Sequence, residues 1–264
     1  MISFDQFKAK AMDTFRVKGT EPGYKDPILF LYSLTWNIPN GVAFSEEKVA
    51  EMNISFDDAG CFGRALKAAV LCEQFFPTHT MYAGEVCEDL LRSMILEQAC
   101  AEKWNDETYI AELLQYESPH IVIVDEQGRQ FDPIFAELST MPIKLSHPSV
   151  RKLDLWKGLY CSYLVSQALS HRSSNVRTYQ AILEEAFSVY PEMILVKENL
   201  ASMYCLIGQY EKSIQYAKEA SQKRKDAKIL MFLYMMTDDE VYKAEIIKQY
   251  DKQMFHFLTK MFTP

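Results

Sequence analysis

Nine glycines and ten prolines serve 264 residues, well short of the roughly 12% that these two types supply in soluble domains. Tight turns draw on both, so a sandwich or barrel of many short strands is disfavoured and a helix-rich chain is expected. With 48% hydrophobic and 24% charged residues, the composition is that of one large globular domain or two modest ones. Twenty-eight basic against 36 acidic residues leave a net charge of −8, which argues against a general nucleic-acid binder with a basic surface. The tract Lys223-Arg224-Lys225 reads as a solvated helix end. No apolar run approaches the roughly 18 residues of a bilayer span. The start, Met1-Ile2-Ser3-Phe4-Asp5, has neither the basic flank nor the apolar core of a secretion signal. Cysteines 61, 72, 87, 100, 161 and 205 form no CxxC pair and have no histidine at zinc-ligand spacing. A reduced, cytoplasmic protein without metal, organic cofactor, nucleic acid or membrane as partner is therefore expected.

Along the N-terminal half, Phe4, Phe7, Ala11 and Phe15 place a helical stripe over 5–17. Ile28 to Tyr32 opens a second helix or a buried strand, and Trp36 to Gly41 reads as a loop. Ser45 to Met52 is a short helix capped by Ser45. Phe62, Leu66, Ala69 and Phe76 define a helix from Gly60 to Phe76 that Pro77 stops. Thr80 to Val86 alternates as a strand. Glu88 to Tyr116 is one long helix, or two broken near Asn105-Asp106. Ile121 to Val124, a turn at Asp125 to Gly128, and Arg129 to Phe131 form a hairpin. Pro142 to Pro148 reads as a linker, beyond which only helices are expected.

Within that C-terminal half, Ala201, Tyr204, Gly208, Tyr210 and Ala220 stand at the spacings of a tetratricopeptide repeat, and Ala186 with Pro191 matches the end of a preceding one. Ser213 replaces the usual Ala, and Lys225 the usual Pro. The segment resembles a stack of such helical hairpins. It implies either a groove for a protein partner or a plain helical cap.

The chemistry concentrates around Asp57-Asp58-Ala59-Gly60-Cys61-Phe62-Gly63-Arg64. A thiol in the first turns of a helix feels the positive end of the dipole, and free N–H groups there can hold an oxyanion. A nucleophilic Cys needs a base, and the base an orienting group. Of the five histidines only His120 opens a strand, in Pro119-His120-Ile121-Val122. If Glu126-Gln127-Gly128 is a three-residue loop with Gly128 left-handed, Asp125 faces Arg129 and Asp132 faces Val122. Val122 shares a sheet face with His120, so His120 and Asp132 become diagonal neighbours. A loop one residue shorter or longer would put them on opposite faces.

Cys61 at a helix start, the strand Met81 to Val86, His120 opening the next strand and Phe131-Asp132-Pro133 closing the third resemble the transglutaminase-like core of the papain-like cysteine enzymes. The resemblance covers roughly residues 55 to 136, with the helical stretch 88–117 as an insertion. The aromatic residue that often follows the His in this family is replaced by Ile121-Val122. The papain-type signature around the Cys is missing, and so is the Arg- and Gly-rich approach of arylamine acetyltransferases. The resemblance implies an α+β domain over 1–145, with a small antiparallel sheet, followed by an all-α domain over 148–264. It implies Cys61 as nucleophile, His120 as general base and acid, and Asp132 as orienting carboxylate. The reaction would be hydrolysis or acyl transfer at an amide of a peptide or protein. Trp36 and Asn37 are candidates for the oxyanion side, and Arg64 for a substrate carboxylate. The alternative is a catalytically inactive scaffold or protein-binding module on the same core.

Overall fold

A computed structural model of the chain describes residues 2–16, 25–37, 56–87, 121–132, 149–250 and 252–262, with backbone alone at 33–37, 56–61 and parts of 253–262. The described residues form a mixed α+β protein, predominantly helical, with one small antiparallel four-stranded sheet. They divide into two compact units, one within Met1–Val86 and His120–Pro191, the other within Cys87–Pro119 and Glu192–Pro264. The expected division at 145/148 thus differs from the compact units, since the helices up to residue 189 fall with the first of them.

In the first unit, Ser3 and Gln6 close a capping box on α1 (Phe4–Phe15), satisfying two orphan donors at its start. Phe7, Ala11 and Phe15 lie four residues apart and are buried as one stripe. α2 (Pro27–Asn37) begins with Pro27 in the first helical position. The Asp26 carboxylate caps it, accepting from the Ile28 and Leu29 amides at 2.9 and 3.1 Å. The apolar run from Ile28 is therefore helical, and the helix continues through Trp36 and Asn37, where the sequence reads as a loop. An apolar run carries no turn signal of its own, and the turn formers here begin only at Pro39.

α3 (Phe56–Phe75) is buried almost all round between Ala65 and Cys72, as befits an inner helix. Pro77 follows its end, as expected. The strands are β1 (Met81–Val86), β2 (Ile121–Asp125), β3 (Gln130–Phe131) and β4 (Val150–Asp154), in sheet order β3-β2-β1-β4. β4 corrects the expectation of helices alone beyond Pro148. Its Leu153 is buried while Arg151 and Lys152 carry charge, so an edge strand protected by charge gives no apolar alternation to read.

One row across the sheet, Phe131–Ile123–Ala83–Leu153, is buried throughout. α4 (Leu155–Ser170), capped by the Asp154 carboxylate on the Lys157 amide at 2.9 Å, lies on this face. A Cβ at Gly158 would stand 2.8 Å from that of Ala83, so the missing side chain permits the close approach. Phe7 packs on Tyr160 and Tyr163 of α4, with ring centroids 5.3 and 5.1 Å apart. α5 (Val176–Val189) is capped by Asn175 and meets α4 where the Cys161 thiol reaches the Ala186 carbonyl.

The second unit contains α6 (Ile194–Leu206), α7 (Tyr210–Ser221), α8 (Ala227–Thr237), α9 (Glu240–Gln249) and α10 (Lys252–Phe262). α6 and α7 form a hairpin around Gly208, whose φ of +74° suits the tight turn. Its core is built on small residues, with Ala201, Ala217 and Ala220 buried. Ser213 is fully buried, and its hydroxyl donates to the Ala201 carbonyl at 2.7 Å. The hydrogen bond offsets the cost of taking the hydroxyl out of water. Lys223-Arg224-Lys225 is not simply a solvated end. Arg224 is buried between Glu198, at 2.6 Å, and Asp226, at 2.8 Å, while Lys225 is exposed. Asp226 in turn caps α8.

Among the described residues no helix is long and apolar enough to cross a membrane. The short helix at 45–52, the stretch 88–116 and the linker 142–148 lie outside the described residues.

Candidate functional site

The hairpin that carries Asp132 has the register expected from its loop. Ile123 pairs with Phe131 and Val124 with Gln130. The Asp125 amide donates to the Arg129 carbonyl at 3.0 Å, and Gly128 takes φ +85°. A residue with a side chain is strained there, which is why the three-residue loop needs this glycine. Continued by one residue, the register sets Asp132 beside Val122, on the face opposite that covered by α4. Asp132 is buried, at 2% exposure. His120 lies outside the described residues, so the second partner of the expected diagonal pair is known only from its place one residue before β2.

Three side chains, Arg129, Glu126 and Lys152, fix the hairpin turn. Arg129 ion-pairs with Asp125 at 2.7 Å and with Asp26. Glu126 accepts from the Thr80 amide at 3.1 Å, tying the turn to the approach of β1. Lys152 passes over the Tyr82 ring and donates to the carbonyls of Asp125 and Glu126 at 2.8 and 2.9 Å. A cavity of about 200 Å³ lies here, lined by Lys25, Asp26, His79, Thr80, Glu126 and Arg129 among others. None of the expected site residues lines it. Its charged groups largely satisfy one another, so it is the clamp of the hairpin and not its chemical end. Burial works to raise the Asp26 carboxyl, but the Leu29 amide and the Arg129 guanidinium outweigh it and hold the group below its ordinary value.

At the other end of the hairpin, Tyr32 of α2 does what a neighbouring strand would do. Its hydroxyl donates to the Gln130 carbonyl at 3.1 Å and accepts from the Asp132 amide at 3.4 Å. Its ring stands edge-on to Phe131, 5.2 Å between centroids. Burial raises its phenol above the ordinary value, so it stays protonated and able to donate. The sequence offered no signal for Tyr32, because an aromatic residue in an apolar helix reads as core.

Cys61 is the sixth residue of α3, whose backbone starts at Phe56 and runs through Gly60. This corrects its expected place at the start of a helix opened by Gly60. The first four amides of a helix are the unpaired ones, so the Cys61 N–H is not a free oxyanion donor, and the dipole has weakened by this depth. The side chains of Cys61, Trp36 and Asn37 lie outside the described residues. Arg64 is half-buried, one turn further along α3. Burial pushes the Cys72 thiol up to about 12, and burial with the charge of Glu85 does the same for Cys161. Both are thiols at neutral pH.

No known protein family matches the chain, and neither a curated protein nor a solved structure does.

Proposed function

We propose that the first unit is a cysteine-dependent hydrolase or acyl transferase acting on an amide of a peptide or protein. Cys61 is its nucleophile, His120 its general base and acid, and Asp132 its orienting carboxylate. The observation that supports this reading most is the hairpin register, which puts a buried carboxylate on the strand face that alternation gives to His120. A carboxylate so placed fixes the imidazole tautomer and stabilises the imidazolium formed when the thiol is deprotonated. Since Cys61 stands beyond the first turn of α3, its thiolate depends on that imidazolium more than on the helix dipole. Attack on the amide carbonyl forms the acyl–sulfur bond, His120 returns the proton to the leaving amine, and water or a second amine resolves the acyl-enzyme. The transglutaminase-like core is part of this proposal, and so is a tetratricopeptide-type role for α6–α7 in holding a protein partner.

Alkylation by iodoacetamide across pH 5–9 tests it. Cys61 is expected to react faster than the other thiols, with a midpoint below the roughly 8.5 of a free cysteine. His120→Ala should return that midpoint to the free value. A Cys61 that reacts like an ordinary exposed thiol, indifferent to His120→Ala, would favour the non-catalytic scaffold instead.

A further inference from the structure

We infer that Tyr32 is a positioning residue for this site, setting Asp132 through the outward edge of β3. This rests on the proposed roles of Cys61, His120 and Asp132, and goes beyond them by assigning a residue outside the triad. Among the described residues β3 is the outer strand of the sheet, so its outward amides and carbonyls face away from β2. The Gln130 carbonyl and the Asp132 amide point to that edge, and the Tyr32 hydroxyl meets both. Such a contact fixes the backbone of the residue that bears the carboxylate, while leaving the carboxylate oxygens to other partners. Six residues earlier, Asp26 grips the same hairpin at its turn through Arg129. At about 1.5 Å rise per residue, the two grips stand roughly 9 Å apart along α2. Two fixed points define the direction of β3 as well as its position, and the second of them sits at Asp132.

Removing the hydroxyl while keeping the ring, in Tyr32→Phe, separates this role from packing. Backbone amide exchange of Asp132 should accelerate about fivefold, the order of one hydrogen bond, while the Phe131 and Ile123 ladder amides keep their rates. Cys61 alkylation at pH 6 should slow by a similar factor, its pH profile moving toward that of Asp132→Asn. Phe7→Leu, which loosens buried packing in the same unit, should lower the melting temperature and leave the profile in place. If Asp132→Asn shifts the Cys61 profile and Tyr32→Phe leaves both profile and Asp132 exchange unchanged, the assignment of Tyr32 is overturned and the triad stands. If neither variant shifts the profile, the triad falls and the assignment falls with it.

Discussion

Arg129 shows how a single side chain can decide a local structure. It joins the cap of α2 to the first residue of the hairpin turn through Asp26 and Asp125. Arg129→Gln leaves the Asp125 carboxylate, 6% exposed, without its cation, and a loss of roughly 1–3 kcal/mol is expected in urea unfolding. The pH dependence has a defined sign. Asp26 titrates lower in the folded than in the unfolded chain, so its contribution is complete above the unfolded value and disappears as pH falls through the folded one. Wild type should therefore lose this contribution below about pH 4, and Arg129→Gln should make the loss smaller. The slope that remains belongs to the other carboxyls held low, Glu126, Glu219 and Glu245 among them, and an unchanged slope would show that Arg129 does not hold Asp26 down. Gly128 was legible in the sequence because a three-residue turn between two paired strands needs a left-handed residue at its last position. Neither Arg129 nor Tyr32 was, since their partners Asp26 and Gln130 lie about a hundred residues away in sequence. No local pattern records such a pairing.

Among the elements, the hairpin was readable in register and β4 was not. A fixed loop length converts directly into pairing, whereas β4 is specified by cross-strand partners. Arg151 stands opposite Glu85 and forms an ion pair with it, and Glu85 is fully buried. Its charges are therefore part of the sheet, although they read as solvent-facing. Gly128→Ala forces a side chain into the left-handed region, at a cost of about 1–2 kcal/mol. A fall in melting temperature of a few degrees is expected for a chain this size. Gly128→Asn should cost less, because Asn tolerates that conformation. Equal losses would mean that the loop, and with it the pairing of β2 and β3, rearranges. The start of α3 was misplaced for a related reason. Gly60 reads as a helix boundary, but the two aspartates before it already lie in the first turn, where they favour the helix N-terminus.

At the scale of the whole molecule, two compact units share one chain whose order does not simply follow them. The predominance of helix was legible in the shortage of turn residues. The division was not, because β4, α4 and α5 follow the expected linker yet belong to the first unit. Arg224 probes the second unit alone. Replacing it with Gln leaves Glu198 and Asp226 to face each other in a buried site, at a cost of roughly 3–5 kcal/mol. Hydrogen exchange should then rise over α6–α8 and stay unchanged in the sheet. A rise in β1 and β2 as well would show that the units unfold together. The central claim, that residues scattered from 61 to 132 assemble one reactive site, turns on whether Asp132 meets His120. The most direct measurement is the titration of the His120 imidazole by NMR in wild type and in Asp132→Asn. A carboxylate against the ring favours its charged form, so His120 should titrate above the ordinary value of about 6.5 in wild type and fall by about one unit in the variant. An imidazole that titrates identically in both would contradict the account.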